Sequence, residues 1–174
     1  MVLCSMRATT ARLALLGLVT FLVGCDHGAK FIAKAELEGQ RPHELIRGVL
    51  DLRYAENTDV AFNLLRAIPE GIRAPALIVT GALALLGLAA VLVRRPPRTS
   101  LGTAALLLVT AGALGNYLDR LFRGYVVDFV HLHHWPVFNI ADAYVTAGVA
   151  MLAVSTLRMR EGSSTGGSAA GRAS

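Results

Sequence analysis

The stretch GALGNYLDRLFRGYVVDFVHLHHWPVFNIAD, residues 112–142, decides how this chain is organised. It begins inside an uncharged apolar run, passes through polar sequence, and becomes apolar again at Val137. Two acids lie in its later part, Asp128 and Asp142, and each stands beside residues apolar enough for a bilayer. Ionisable groups at that depth are costly and are usually functional. We therefore predict that Asp128 and Asp142 form an active site.

The composition is that of a membrane protein. Of the 174 residues, 54% are hydrophobic and 17% are charged, and the mean hydropathy is +0.53. The net charge of +5 would suit a nucleic-acid binder, but the basic residues lie at the ends of apolar runs and form no single patch. No nucleic-acid partner is therefore predicted. The cysteines, Cys4 and Cys25, have neither a disulfide framework nor a metal-binding spacing.

Four apolar segments are long enough to cross a hydrocarbon core of ~30 Å as helices of roughly 20 residues. They cover residues 12–33, 74–93, 99–118 and 137–157. The second opens with Pro75, which suits a first helical turn. The fold class predicted is a mainly α membrane protein, a bundle of four transmembrane helices. It would be one integral-membrane domain over residues 1–160, followed by a disordered tail over residues 161–174.

The first apolar segment has a second interpretation. Residues 13–25 carry no charge and follow a short basic start, which is typical of a secretory signal. Residues 22–25, LVGC, also resemble the lipobox of bacterial lipoproteins. A cleaved lipoprotein rarely carries three further apolar segments, so a first spanning helix is favoured over a lipoprotein processed at Cys25.

Residues 40–73 are the one stretch with the character of a soluble segment. Residues 48–54 mix β-branched, apolar and charged side chains and predict a strand, and residues 56–59 predict a turn. Residues 60–65 fit either a second strand or a short surface helix, because so few residues do not define a period. The segment is too small to bury its own core, so we expect it to lie against the membrane.

The basic residues predict the orientation. Positive charges precede the first segment, fill the loop between the second and third, and follow the fourth: Arg7, Arg12, Arg94, Arg95, Arg98, Arg158 and Arg160. Both termini and that loop are therefore expected in the cytoplasm. Five polar residues at the ends of three spans would then meet at the opposite face: Asp26, Lys30, Asn116, Arg120 and Asp142.

The two acids suggest hydrolysis by activated water. Asp128 and Asp142 are too far apart in sequence for one helix face, so a loop must bring them together. Two carboxylates that share a site do not both ionise easily, which leaves one acid and one base. Such a pair can activate a water against an amide carbonyl and protonate the leaving nitrogen.

Other polar residues would support this pair. Those expected to balance charge, bind the substrate backbone or orient the acids are Lys30, Arg120, Asn57, Asn116 and Asn139. Asp26 and Lys30, four residues apart, fit a helix-end ion pair as well as a support for substrate. Asn139 also fits a cap of the fourth span. Asp119 is interpreted as a solvated charge at the interface.

A histidine cluster offers a metal alternative. His131, His133 and His134 lie close to Asp128 in sequence and together suggest zinc. The HxHH spacing differs from the helical spacing of catalytic zinc motifs, so a wet interfacial loop is favoured. No metal and no cofactor are predicted. Trp135 suits an aromatic belt at the membrane surface.

Five blocks of this sequence resemble the lipoprotein signal peptidases, or signal peptidase II, of bacterial inner membranes. The blocks, in family order, are DxxxK at 26–30, NTxxAFN at 57–63, GALGNYLDR at 112–120, GYVVDF at 124–129 and FNIAD at 138–142. The last three together are highly specific. Asp59 and Ala111 depart from the family pattern, since glycine is usual at both positions.

The resemblance implies an aspartic endopeptidase without a metal, which removes signal peptides from prolipoproteins just before a cysteine carrying diacylglycerol. The implied catalytic pair is Asp128 and Asp142. The implied polar residues around substrate or inhibitor are Asp26, Lys30, Asn57, Asn116, Arg120 and Asn139. Residues 40–73 would form an extracytoplasmic β-cradle with an amphipathic helix. A site near the periplasmic face, membrane lipid as a partner and globomycin-type inhibitors are also implied, and we expect a monomer.

A transporter is the alternative from another class. In a small proton-coupled transporter, Asp26, Asp128 and Asp142 would relay protons through the membrane. Many transporters contain an internal repeat, and this chain shows none, which weighs against the alternative.

Overall fold

The chain forms four long helices and a three-stranded antiparallel sheet. The computed structural model describes residues 2–58, 69–94, 97 and 99–169, with side chains described between residues 13 and 159. The elements are, in chain order, α1 (Val2–Leu37), β1 (His43–Ile46), β2 (Leu50–Asn57), α2 (Glu70–Arg94), α3 (Ser100–Arg123), β3 (Val126–Leu132) and α4 (Ile140–Ala169).

The predicted four-helix membrane fold is confirmed, because all four helices are long and apolar enough to cross a bilayer. Their candidate spans are Leu13–Leu37, Gly71–Arg94, Ser100–Arg123 and Ile140–Met159. Large apolar side chains along them, such as Leu16, Phe21 and Leu86, are exposed on the protein. In a bilayer these side chains contact lipid, so their exposure carries no penalty. Helix α1 runs unbroken through Cys25, as the spanning interpretation requires.

Helix α3 is the centre of the bundle, because α1, α2 and α4 all pack against it. Its contact with α4 is close enough to require glycine. A Cβ atom added at Gly112 would collide with the carbonyl oxygen of Ala141, and one added at Gly148 would lie 2.7 Å from that of Ala105. Glycines at such positions let helix backbones approach each other within a membrane. The start of α4 is therefore held directly against α3.

The helix ends differ from the prediction by several residues. Helix α2 begins at Glu70, so Pro75 lies inside the helix instead of opening it. The carbonyl oxygen of Pro69 accepts hydrogen bonds from the first turn of α2, which sets the earlier start. Helix α3 continues past residue 118 to Arg123 and ends at Gly124, whose φ of 80° suits glycine. It can carry Asp119 within its length because that side chain is neutralised in ion pairs.

Helix α4 also differs at both ends. It begins at Ile140 because Phe138 pairs with Val130 of β3, exchanging two main-chain hydrogen bonds of 2.9 Å. At the other end, the sequence predicted disorder from residue 161, whereas the helical backbone continues to Ala169. Extending an existing helix costs far less free energy than nucleating one, so α4 can include the glycines and serines of residues 161–169, which are poor helix formers. Residues 170–174 lie outside the described residues.

The sheet has the order β1-β2-β3. Strands β1 and β2 form a hairpin whose turn includes Gly48 at φ 70°. Strand β2 confirms the predicted strand from Leu50 to Tyr54, whereas Gly48 and Val49 lie in the hairpin turn. The strand also continues to Asn57, through half of the predicted turn. The alternatives for residues 60–65, the amphipathic helix among them, fall outside the described residues, as does Asp59.

Strand β3 was not predicted. The residues between the third and fourth predicted spans were expected to form a loop that brings the two acids together, yet Val126–Leu132 is a strand that pairs antiparallel with β2. Ala55 lies opposite Asp128, and Asn57 lies opposite Val126. The pairing with β2 brings Asp128 next to Asn57, from a distant part of the chain. It also gives Asp128 a rigid strand as its support in place of a loop.

Candidate active site

Strand β3 and helix α4 bring Asp128 and Asp142 to one cavity. Asp128 is in the first half of β3, and Asp142 is in the first turn of α4. Both carboxylates line a cavity of about 400 Å³. The other lining residues are Asn57, Asn116, Arg120, Val126, Trp135, Pro136, Val137, Phe138, Val145 and Thr146. The two acids, Asn57, Asn116 and Arg120 form the polar floor of this cavity, and the remaining lining residues form its largely apolar wall.

Asp128 is buried and bonded to two side-chain amides. Its Oδ2 accepts a hydrogen bond of 2.9 Å from Asn57 Nδ2, and its Oδ1 accepts one of 2.6 Å from Asn139 Nδ2. Burial raises the pKa of Asp128 to about 6 against the opposing effect of the amide bonds, and the neighbouring charge of Asp142 adds to the rise. Near neutral pH this carboxyl can therefore exchange a proton readily.

Asp142 and Asn139 cap helix α4 reciprocally. The main-chain N–H of Asp142 donates to Asn139 Oδ1 at 3.0 Å, and the main-chain N–H of Asn139 donates to Asp142 Oδ2 at 3.2 Å. This is the geometry of a capping box, with asparagine as the cap and aspartate in place of the usual glutamate. Asn139 is thus both a helix cap, as one interpretation held, and an amide partner of Asp128, as the other held.

Asn116 joins the two carboxylates to the bundle. Its Nδ2 donates to Asp142 Oδ1 at 2.8 Å. Its Oδ1 accepts from Asn139 Nδ2 at 3.1 Å and from Lys30 Nζ at 3.0 Å. Arg120, one turn further along α3, donates to the main-chain oxygen of Asn116 at 3.3 Å and also lines the cavity. The polar floor is therefore one connected network.

A buried ion cluster lies behind that floor. The Lys30 ammonium is 2.7 Å from Asp26 Oδ2 and 2.8 Å from Asp119 Oδ2, and all three side chains are buried. Asp26 Oδ1 also accepts from the main-chain N–H of Ala141 at 2.9 Å, which satisfies another amide of the first turn of α4. The interpretation of Asp119 as a solvated charge was wrong: it is buried because Lys30 and Arg123 (2.6 Å) compensate its charge.

The structure therefore separates the predicted residues into two groups. Five line the cavity: Asn57, Asn116, Arg120, Asp128 and Asp142. Asp26, Lys30 and Asn139 do not line it and lie behind it. Sequence reasoning missed the apolar wall, in which Val145 and Thr146 follow Asp142 by about one helical turn. That spacing placed them on the face of Asp142 and could have identified them.

The histidines do not gather around Asp128. His131 Nδ1 lies 2.9 Å from Asp51 Oδ2, and the rings of His133 and His134 pack edge to face at 4.2 Å. Among the side chains that the structure describes, the one grouping of three residues with metal-ligand atoms is Asp26, His27 and Asp119. The Lys30 ammonium already contacts both of those acids. The zinc alternative built on the histidine cluster has no ligand set among the side chains that are described.

Comparison with known proteins agrees with this site. A family model described as signal peptidase (SPase) II matches residues 18–158, most of the chain. The chain belongs to the signal peptidase II family. It is 34% identical over 148 residues to the lipoprotein signal peptidase of Syntrophotalea carbinolica, covering 83% of this chain and 91% of that protein. It is 35% identical over 138 residues to that of Geobacter sulfurreducens, covering 76% and 84%.

Solved structures agree with the fold of this signal peptidase II. A bacterial membrane enzyme determined by the in meso method superposes with a TM-score of 0.72 at 25% identity, over 83% of this chain and 92% of the other. The resemblance drawn from the motifs is confirmed, and with it a multi-pass membrane protease. The transporter alternative finds no support in these relatives.

Proposed function

We propose that this signal peptidase II is an aspartic endopeptidase that removes the signal peptide from diacylglyceryl-modified prolipoproteins, cutting just before the lipidated cysteine. The observation that carries the proposal is the meeting of Asp128 and Asp142 in one cavity, each held by asparagine amides. The names of its relatives, lipoprotein signal peptidases, supply the substrate class.

The chemistry proposed is attack by an activated water. Among the described residues that line the cavity there is no serine or cysteine nucleophile. Two carboxylates in one site divide into an acid and a base, and together they can move protons to and from a water and an amide. The raised pKa of Asp128, about 6, favours such a division close to neutral pH.

The supporting residues have separate roles in this proposal. Asn57, Asn116 and Asn139 fix the directions of the carboxylate oxygens. Arg120 lines the cavity beside both acids, where its guanidinium can bind carbonyl groups of the substrate peptide. Asp26 and Lys30 act from behind the cavity, as supports of Asn116 and of the start of α4. No metal and no cofactor take part.

The membrane setting is part of the proposal. The enzyme would lie in the bacterial inner membrane as a monomer and one domain over residues 1–160, with both termini and the tail from residue 161 in the cytoplasm. The active site would be near the periplasmic face. Lipid tails of the substrate would stay in the bilayer beside the bundle while the scissile bond reaches the carboxylates. Globomycin-type cyclic peptides would compete for the same cavity.

Cleavage of a diacylglyceryl precursor by the purified chain tests this function. We expect Asp128→Asn and Asp142→Asn each to lower kcat by at least about a hundredfold, the usual contribution of acid–base catalysis, while the protein stays folded. Asp51→Asn is the matched control, since Asp51 pairs with Arg53 on β2 and does not line the cavity. Full activity of either cavity variant would contradict the proposal.

The same assay tests the role of the lipid. Each buried CH₂ contributes about 0.8 kcal/mol, so a precursor without diacylglycerol should have a much lower kcat/KM. Equal cleavage of lipidated and unlipidated precursor would overturn the substrate assignment while leaving the peptidase chemistry in place.

A further inference from the structure

The two carboxylates have different electrostatic surroundings although they face one cavity. Asp128 accepts hydrogen bonds from two neutral amides, those of Asn57 and Asn139. Asp142 lies in the first turn of α4, where the main-chain N–H groups give a helix its positive end, and it accepts one of them, from Asn139, at 3.2 Å. The local field therefore favours a negative charge on Asp142 more than on Asp128.

A buried ammonium group also reaches Asp142 through a single amide. Lys30 Nζ donates to Asn116 Oδ1 at 3.0 Å, and Asn116 Nδ2 donates to Asp142 Oδ1 at 2.8 Å. The ammonium can only donate, so it fixes the amide oxygen of Asn116 toward α1 and the amide nitrogen toward Asp142. Hydrogen bonds in series polarise one another, which makes this amide a stronger donor than an isolated one.

The site of Lys30 is otherwise hard to explain. Its side chain is fully buried and does not line the cavity, so it cannot contact substrate. Burying an ammonium is costly even when it is paired. Within the cluster, Lys30 and Arg123 are paired with Asp26 and Asp119. Lys30 reaches Asp142 through its short contact with Asn116, and its charge also acts directly on Asp128, where it opposes the rise in pKa that burial causes.

The other charges near Asp142 also favour an ionised Asp142 beside a protonated Asp128. Among the residues that the structure describes, the charged groups that face it from the packed elements are Asp128 on β3, Arg120 on α3, and Lys30 with Asp26 on α1. Of these, Asp128 alone is a negative group inside the cavity. If Asp142 is ionised, this neighbour is stabilised in its protonated form.

We propose that Lys30 and Asn116 form a relay that keeps Asp142 ionised, so that Asp142 is the base and Asp128 is the acid. This inference rests on the proposed aspartic peptidase reaction and assigns the roles within it. Lys30 is a positioning residue, because it acts through Asn116 and touches no reacting atom.

The proton movements balance over one cycle. As the water oxygen bonds to the scissile carbonyl carbon, Asp142 takes a proton from the water and Asp128 gives its proton to the carbonyl oxygen. When the C–N bond breaks, Asp142 gives its proton to the leaving nitrogen. A hydroxyl proton of the intermediate returns to Asp128 at the same time. Both carboxyls end in their starting states.

Infrared spectroscopy of the full chain in detergent, without substrate, tests where the proton resides. We expect a carboxylic acid C=O band at pH 5 that is lost by pH 8. At pH 5 the band should be weaker in Asp128→Asn than in the wild type, and Asp142→Asn should weaken it less, since the partly protonated glutamates contribute equally to all three spectra. A band that is weakened more in Asp142→Asn than in Asp128→Asn would overturn the assignment. Since no substrate is used, this result is independent of whether the chain cleaves prolipoproteins.

The relay is tested by a charge-balanced double variant. Lys30→Met/Asp119→Asn removes the ammonium together with one of its acids, and Asp119→Asn alone is the control that keeps Lys30 on Asn116. The kcat of the double variant, divided by that of the control, should be lower at pH 5 than at pH 8, because a base that is held less firmly in its ionised form loses activity first in acid. Equal losses at both pH values would indicate a structural role and overturn the relay.

A second variant keeps the test decisive if the double variant does not fold. In Asp128→Asn/Asn116→Leu the amide donor of Asp142 is gone. A carboxylic acid band at pH 5 that is stronger than that of Asp128→Asn alone would support the relay. Identical spectra of these two variants would overturn it.

Discussion

At the scale of single residues, Asn139 links the fold to the site. Its Oδ1 caps the first turn of α4, while its Nδ2 holds Asp128 at 2.6 Å and Asn116 at 3.1 Å. The orientation of one amide group is therefore shared by a helix start and by the network of both carboxylates. Helix α4 cannot begin in another register without also displacing the partner of Asp128.

The raised pKa of Asp128 predicts a pH-dependent stability. Its folded-state pKa is about 6 against an ordinary value of 3.8, so the folded protein binds this proton more tightly than the unfolded chain. The contribution is fully present below pH 3.8 and is lost as the pH rises through 6. The total loss is about 3 kcal/mol. Asp128→Asn lacks this titration, so its Tm relative to the wild type should rise between pH 4 and pH 7, as thermal unfolding in detergent would measure.

Asp51→Asn is a control whose stability, relative to the wild type, should change with pH in the opposite direction. Arg53 and then His131 hold the pKa of Asp51 well below its usual range. That stabilisation is present above pH 3.8 and is lost as the pH falls toward the lowered folded-state value. Asp51→Asn should therefore be less stable than the wild type at pH 7, by a margin that shrinks in acid. A constant difference for Asp128→Asn across the whole pH range would contradict the shift of Asp128.

Residue types and spacing identified the members of the site, but not which of them line the cavity and which lie behind it. Asp128, Asp142 and three other predicted residues line the cavity, whereas Asp26 and Lys30 lie behind it. A charge beside an apolar run looks the same in sequence whether it faces a cavity or a buried partner. Asp119 was misassigned for that reason, since its burial depends on Lys30 from a distant helix.

At the scale of elements, β3 is where the sequence was least informative. Its first three residues, Val126, Val127 and Asp128, are all buried, so the strand lacks an alternation of buried and exposed positions. Its partner, β2, is far away in the chain. The helices were predictable because twenty apolar residues in a row can form few structures other than a membrane-spanning helix. A short strand, by contrast, depends on a partner that is distant in the sequence.

The contact between α3 and α4 predicts the effect of a single methyl group. In Gly112→Ala the new Cβ would collide with the carbonyl oxygen of Ala141, the residue before Asp142. Helix α4 must then move away from α3 and take Asp142 out of reach of Asn116. We expect a destabilisation of about 1–3 kcal/mol, typical of overpacking, together with a loss of kcat. Thermal unfolding and the precursor assay would measure the two effects.

Gly87→Ala is the control for Gly112→Ala. A Cβ at Gly87 on α2 would meet nothing within 4 Å. This substitution should leave kcat unchanged and be neutral or stabilising by up to about 1 kcal/mol, because alanine is the better helix former. Similar behaviour of the two variants would mean that α3 and α4 are not packed as closely as described.

At the scale of the whole molecule, the polar groups collect at one end of the bundle. The end of α1, the end of α3 and the start of α4 contribute side chains to one hydrogen-bonded network, and the sheet adds Asn57 and Asp128. The predicted convergence of distant polar residues is thus what the structure brings about. The last residue of α2, Arg94, and the first residue of α3, Ser100, lie at the end of the bundle opposite to that network. One end of the bundle holds the candidate active site, and the chain at the other end contains Arg94, Arg95 and Arg98, charges of the kind that orient membrane proteins.

The distribution of basic residues between the two ends of the bundle predicts which surface of the membrane each end faces. In a chain with Cys4→Ser and Cys25→Ala, Glu44→Cys would place a thiol on exposed β1, and Arg94→Cys would place one at the exposed end of α2. A membrane-impermeant thiol reagent should label Glu44→Cys in intact cells and Arg94→Cys only after permeabilisation. Arg95 and Arg98 remain in the second variant, so the charge that retains the loop in the cytoplasm persists. Labelling of Arg94→Cys alone in intact cells would reverse the orientation and put the carboxylates on the side of the membrane where precursors are made.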